Sequence, residues 1–151
     1  MAENLNFETD SSYCYNDSAK YCSKYGRFYA WTAAMTACPS GWRLPTEEEF
    51  ETLFSAVGGY STAGKMLKSA TGWTAYSGIT NEDAFAFSAL PAGYRYGDGY
   101  YYNEGINAYF WSSSEYLSND AYRMLLHYYD DDASLYYSDK NIGYSVRCLK
   151  D

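Results

Sequence analysis

Histidine is nearly missing from this chain. His127 is the only one among 151 residues. One imidazole is too few for most zinc sites, which draw on several His and Cys ligands. It also weakens any Ser-His-Asp or Cys-His reading, and a lone His in a strand is ordinarily structural or exposed. Long apolar runs are absent too. No stretch of about 18 apolar residues occurs, so no segment reads as a membrane-spanning helix. Met1 to Asp10 have no basic start and no apolar run, so they do not read as a secretory signal. The expectation is that such a signal was removed, or that this chain is a piece of a larger protein. Positive charge is scarce as well. Eleven Lys and Arg face 19 Asp and Glu, for a net charge of −8. Nucleic acids and anionic membrane surfaces both require a positive face, so neither is expected as a partner. Plain solubility is the ordinary purpose of such a charge. There is no Gly-x-Gly-x-x-Gly and no Walker A loop, and Gly97-Asp98-Gly99 reads as a turn. No cofactor is expected. No repeat, heptad or low-complexity tract appears.

The chain is long enough for one domain with a real core. Its strongest local signal is Thr46-Glu47-Glu48-Glu49-Phe50. Thr46 suits an N-cap and Glu49 completes a capping box. The three carboxylates suit the positive end of the helix dipole. Phe50, Leu53, Phe54 and Val57 recur at helical spacing, and Gly58-Gly59 stops the run. This predicts a helix over 47–57. Trp31 to Ala37 predicts another, stopped by Pro39. Ser61 to Ser69 predicts a short third. Residues 1–12 read as a flexible polar tail, 13–24 as a loop, and 13–151 as the domain. From Trp73 on, Gly, Asn, Asp and Ser punctuate short aromatic runs, the pattern of strands and hairpins. Strands are predicted at 27–29, 85–88, 93–96, 109–113, 122–128, 134–137 and 144–149. Helices first and strands after give an α+β class.

Six motifs occur along the chain: Gly41-Trp42-Arg43-Leu44-Pro45-Thr46-Glu47, and, in this order, Tyr25-Gly26-Arg27-Phe28-Tyr29, Ala63-Gly64-Lys65-Met66-Leu67-Lys68, Phe87-Ser88-Ala89-Leu90-Pro91-Ala92-Gly93-Tyr94-Arg95, Phe110-Trp111-Ser112-Ser113-Ser114-Glu115 and Gly143-Tyr144-Ser145-Val146-Arg147-Cys148. The first resembles the Gly-x-Arg-Leu-Pro-Thr-Glu signature of the formylglycine-generating-enzyme-like branch of the C-type lectin fold. Together, from about Cys14 onward, they resemble the Fibrobacter succinogenes major paralogous domain. The resemblance implies a C-type lectin-like fold with two main helices and short antiparallel strands, in a bacterial protein.

Four cysteines allow three pairings, or four reduced thiols in a cytosolic protein. The resemblance implies Cys14–Cys22 and Cys38–Cys148, hence an oxidising compartment at or beyond the bacterial cell surface. In the chain-entropy model the long loop contributes roughly 4–5 kcal/mol and the short one about 2–3. With every cysteine paired, the reactive thiol of the formylglycine-generating enzymes is not expected here. Calcium-binding lectins of this fold carry Glu-Pro-Asn or Gln-Pro-Asp with Trp-Asn-Asp. None is present, since Ser112-Ser113 follows Trp111. No metal is expected. Asp130-Asp131-Asp132 could attract a hard cation, but adjacent carboxylates do not converge by themselves.

What is abundant is tyrosine. There are 20, and thirteen lie between Tyr94 and Tyr144. Tyrosine gives large contact area at low entropy cost, and short polar residues give adaptable hydrogen bonds, as in antibody loops. The alternative is a packed aromatic layer with hydroxyls at its rim. Packing is expected for Tyr94, Tyr109 and Tyr144, and exposure for Tyr128, Tyr129, Tyr136 and Tyr137. From His127 to Asp139 the types are Tyr, Asp, Ser, His, Leu and Ala. Each arises from an asparagine codon by changing only its adenines, and relatives of this domain often carry asparagine runs there. That resembles the variable region of a diversity-generating retroelement target.

The expected function is recognition of a protein or glycan ligand at the cell surface, without catalysis. The ligand face is expected to hold Tyr116, Asn119, Tyr122, Met124, His127, Tyr128, Tyr129, Asp130, Asp132, Tyr136, Tyr137 and Asp139. Alternation leaves open whether Tyr122, Met124 and Leu126 or Arg123, Leu125 and His127 point outward. The domain is expected to be a monomer or part of a larger surface protein. The alternatives are an enzyme, of the formylglycine-generating type or using carboxylates such as Glu115 and Asp120, and a structural domain with no ligand.

Overall fold

Helices come first. The computed structural model describes residues 1–151. Strand β1 (Ser12–Tyr13) leads through a 3-10 turn, Tyr15–Asp17, into α1 (Ala19–Tyr25). Then follow β2 (Phe28–Tyr29), α2 (Trp31–Ala37), β3 (Trp42–Arg43), α3 (Glu47–Ala56) and α4 (Tyr60–Leu67). After an irregular stretch come β4 (Tyr94–Arg95), β5 (Tyr101–Tyr102), β6 (Asn107–Leu117), β7 (Asp120–His127), β8 (Ala133–Asp139) and β9 (Leu149–Lys150). The class is α+β. The largest sheet is antiparallel, in the order β6-β7-β8. Three two-stranded antiparallel sheets, β1-β2, β3-β9 and β4-β5, surround it.

Helix α3 starts where its cap requires. Glu49 N donates to Thr46 Oγ1 at 3.3 Å, and Thr46 N donates to Glu49 Oε2 at 2.8 Å. Its apolar stripe packs as expected. Phe50, Phe54 and Val57 are buried and Leu53 is half-buried. Alternation along β6 then divides the core. Phe110 joins Phe50, Phe54, Leu67, Met124 and Leu126 on the α3–α4 side. Trp111 joins Tyr29, Ala34, Tyr144 and Val146 on the other. The Trp111 indole N–H donates to Tyr29 O and that of Trp31 to Ser112 O, both at 2.8 Å. The central sheet is therefore covered on both faces along β6 and the middle of β7.

The disulfides are Cys14–Cys22 and Cys38–Cys148. The second ties the end of α2 to the approach to β9. Two such bonds fit an oxidising compartment. No helix is long and apolar enough to cross a membrane.

Four expectations need correcting. Residues 1–12 are not a free tail. Leu5 is buried, its N–H donates to Val146 O, and its carbonyl accepts from Arg27 N, both at 2.9 Å. Asn4 Nδ2 donates to Tyr25 O, and Asn4 Oδ1 accepts from the buried Arg147 Nε, both at 2.8 Å. The segment fits because residue 26 is glycine: a Cβ there would lie 2.7 Å from Leu5 O. Second, the loop 13–24 contains α1. Third, 85–88 is not a strand. Asp83, Ala86 and Ser88 all have positive φ, and Ser88 N donates to Asp83 Oδ1 at 2.7 Å, which coils the segment. Fourth, the predicted strand 144–149 is broken: Tyr144 and Ser145 make isolated bridges, 146–148 are not strand, and Leu149 belongs to β9.

A candidate ligand-binding face

Strand β7 decides which side chains face out. Tyr122, Met124 and Leu126 lie on the helix side, and Arg123, Leu125 and His127 on the other. Met124 is fully buried beneath α3 and α4, beside Leu126. It belongs to the core and not to a ligand face. Its Cα partner on β8 is Leu135, so both strands place apolar side chains there.

The remaining expected residues form two groups. The first lies where β6 turns into β7. Tyr116 stacks on Tyr137 at 3.8 Å between centroids and meets Tyr122 edge-on at 5.5 Å. Tyr136 stacks on Tyr137 at 4.5 Å. Hydrogen bonding among these hydroxyls, Tyr136 first and Tyr116 next, pushes the Tyr137 phenol up to about 12. Tyr122 is on the helix side of the sheet and is half-buried. Asn119 is exposed in the turn. Asp139 is exposed, and its Oδ1 accepts from Asn141 N at 2.8 Å.

The second group lies at the other end of β7. His127 stacks on Tyr129 at 4.8 Å, and its Nδ1 lies 2.8 Å from Asn107 Oδ1. Asn107 Nδ2 donates to Tyr109 OH, so its Oδ1 is free to accept and His127 carries the proton on Nδ1. Burial holds the imidazole below its ordinary value. The loop 128–132 is not a free tip. Buried Lys68 donates through Nζ to His127 O at 2.9 Å and to Asp130 O at 2.7 Å. Lys65 N donates to Asp131 O at 3.1 Å. Gly64 lets α4 approach this closely, since a Cβ there would lie 2.2 Å from Asp132 O. Burial pushes the Lys68 ammonium down and the Asp130 carboxyl up.

Tyr122 and His127, one in each group, are five residues apart on β7, a rise of about 17 Å. One small ligand cannot touch both. Between them the outward side of the sheet carries Tyr136, 56% exposed, and Arg123. Arg123 Nε donates to Ser138 Oγ at 3.2 Å, and its guanidinium lies 5.2 Å from the Tyr109 ring. Arg123 is not among the residues expected on the ligand face, though the alternation named it as a candidate for the outward side. Its place opposite Met124 in the alternation is the signal that could have found it.

Tyr109 and Tyr144 are packed, as expected, and stack at 4.8 Å. Of the four tyrosines expected to be exposed, Tyr129 and Tyr136 are, while Tyr128 and Tyr137 are half-buried. Glu115 pairs with Lys140. No group of three or more His, Cys, Asp or Glu side chains is placed to hold a metal ion, and no cysteine is free.

The family model for the Fibrobacter succinogenes major domain matches residues 1–150. The chain belongs to this family. No curated protein and no solved structure matches it. In this Fibrobacter succinogenes major domain the match includes the first twelve residues, in keeping with the embedded Asn4 and Leu5. The motifs that carried the resemblance build the frame. Gly64 and Lys68 hold the 128–132 loop, and Trp111 fills the core. Gly93 lets the backbone at Tyr102 pass where a Cβ would meet it at 2.0 Å. The buried Arg147 donates to Asn4 Oδ1, Phe87 O and Ser88 O, joining both ends of the chain to the middle. The residues displayed at the two ends of β7 lie outside those motifs, apart from the frame that supports them.

Proposed function

We propose that this domain is a recognition module: a C-type lectin-like scaffold, at or beyond the cell surface, that presents a tyrosine-rich face to a protein ligand. One observation carries the proposal. Tyr116 and Tyr136 are exposed on a three-stranded sheet whose other parts are locked by packing, and Tyr129 is exposed in the 128–132 loop, which Lys68 fixes from below. Exposed aromatics on a rigid support are what interface anchors require. The span of about 17 Å from Tyr122 to His127 along β7 suits an extended protein surface better than a small molecule. The absence of Glu, Gln, Lys, Met and Trp from 127–139 supports a retroelement origin for this diversity. A near-copy of these codons with adenines at the divergent positions, beside a reverse-transcriptase gene, tests that part.

The binding reading is tested by panning a random peptide display library on the whole domain. Enriched peptides should bind a Tyr128/Tyr129/Tyr136/Tyr137→Ser variant far more weakly, with single anchors costing over about 2 kcal/mol. Melting of that variant should change little. Peptides that bind the variant equally well would refute the face, and loss of the folded state would show these rings to be core.

A further inference from the structure

Beside the 128–132 loop is a cleft that meets the tyrosine face only at Tyr128. It encloses about 270 Å³. Trp73, Thr74, Tyr76, Thr80, Asn81 and Tyr128 supply its polar and aromatic lining, and no charged side chain lines it. Tyr76 and Tyr128 stand at 88° to each other with centroids 5.5 Å apart, so they form a corner. Trp73 is fixed in place, since its Nε1–H is directed at both Ser69 Oγ and Ala89 O, each at 3.1 Å. The Oδ1 of Asn81 is buried and has no hydrogen-bond donor. The rim is tied down at separate points. Thr74 N donates to Gly105 O at 2.7 Å, Ile79 N to Tyr76 O at 3.2 Å and Glu82 N to Lys65 O at 2.9 Å.

We infer that this cleft is a binding site for one neutral pyranose residue of a glycan. A pyranose has an apolar C–H face and a belt of hydroxyls. The aromatic corner suits the first. The Asn81 amide group and the Thr74 and Thr80 hydroxyls, which belong to the lining, suit the second. The uncharged lining gives no counter-ion to a carboxylate, sulfate or ammonium, so the sugar is neutral. The tied rim means little ordering on binding. The cleft shares Tyr128 with the protein-binding face but requires nothing else from it.

The test is a 1H–15N titration of the whole chain with the methyl glycosides of glucose, galactose, mannose and N-acetylglucosamine. At least one should shift the Trp73 indole N–H, with Kd on the order of 1 mM, and leave the buried Trp111 indole unmoved. Asn81→Ala and Tyr76→Ala should each weaken that binding about tenfold, equivalent to about 1.4 kcal/mol, without changing melting. Tyr136→Ser, which alters the protein-binding face alone, should leave it intact. If Tyr76→Ala lowers melting, Asn81→Ala decides. The inference is overturned if no glycoside moves the Trp73 resonance, if Asn81→Ala binds as tightly as the parent, or if methyl glucuronide binds more tightly than every neutral glycoside. None of these outcomes bears on the peptide panning result, so the two readings fail separately.

Discussion

Glu49 serves two elements with two oxygens. Oε1 accepts from Arg43 Nη2 at 2.6 Å, while Oε2 accepts from Arg43 Nη1 at 2.7 Å and from Thr46 N at 2.8 Å. One carboxylate therefore closes the capping box of α3 and holds β3 beside it. The Arg43 hydrogen bonds, and then those from Thr46, lower its pKa from 4.5 to about 2. The sign of the pH effect follows. Between about 2 and 4.5 the unfolded chain binds a proton here that the folded chain does not. Stability from this group is complete above 4.5 and is lost as pH falls through about 2. The pair is partly exposed, so the effect is small and weakens with salt. Comparing melting of the parent and Glu49→Gln across that window measures it. The two curves should converge toward pH 2 and separate above 4.5; a constant gap would mean that Glu49 does not titrate in this way.

At the scale of elements, α4 matters because of what it lets approach. Gly64 is the point where the helix meets the backbone of Asp131 and Asp132. In an isolated helix Gly64→Ala would stabilise by up to about 1 kcal/mol. Here the added Cβ meets main chain rather than a movable side chain, so a net loss of about 1–3 kcal/mol is expected. Hydrogen exchange at the Lys65 amide should quicken as well. A higher melting temperature would show that the loop yields. Much of this layer could be read in advance. Thr46 and Glu49 announced α3 because capping is local chemistry, and Trp31–Ala37 was bounded by Pro39. Helix α1 was missed because its turns are held by a disulfide and by Tyr25, not by an apolar stripe. The coil at 83–88 was missed because Asp83 reaches Ser88, a contact that no alternation pattern encodes. Leu5 was missed because one apolar residue in a polar run gives no period. At the site, the loop composition marked Tyr129 and Tyr136 as exposed. It could not place Met124, whose side depends on where α3 and α4 lie. The Trp73–Asn81 cleft was illegible for a different reason: its walls come from two loops about 50 residues apart in the chain, and only their packing against Gly105 and Lys65 brings them together.

Over the whole molecule, Cys38–Cys148 closes a loop with a sequence separation of 110, and Cys14–Cys22 one of 8. Replacing Cys38 and Cys148 by Ser should lower stability by roughly 4–5 kcal/mol, against about 2–3 for the short pair, on chain entropy alone. Chemical denaturation of the two double variants checks the order, and a larger loss from Cys14/Cys22 would contradict it. The same long bond has a mechanical consequence. A load entering near Met1 and leaving near Asp151 runs along the chain to Cys38, crosses the sulfurs to Cys148, and exits. Everything between, including all three strands of the central sheet and the tyrosines on them, lies off that line. Stretching single molecules should therefore release only residues outside the loop, mainly those before Cys38, while the bond is intact. After reduction a further extension of about 3.6 Å for each enclosed residue should appear. A domain that holds on to something while its tether is pulled would keep its grip folded, with the strain carried by a covalent shunt.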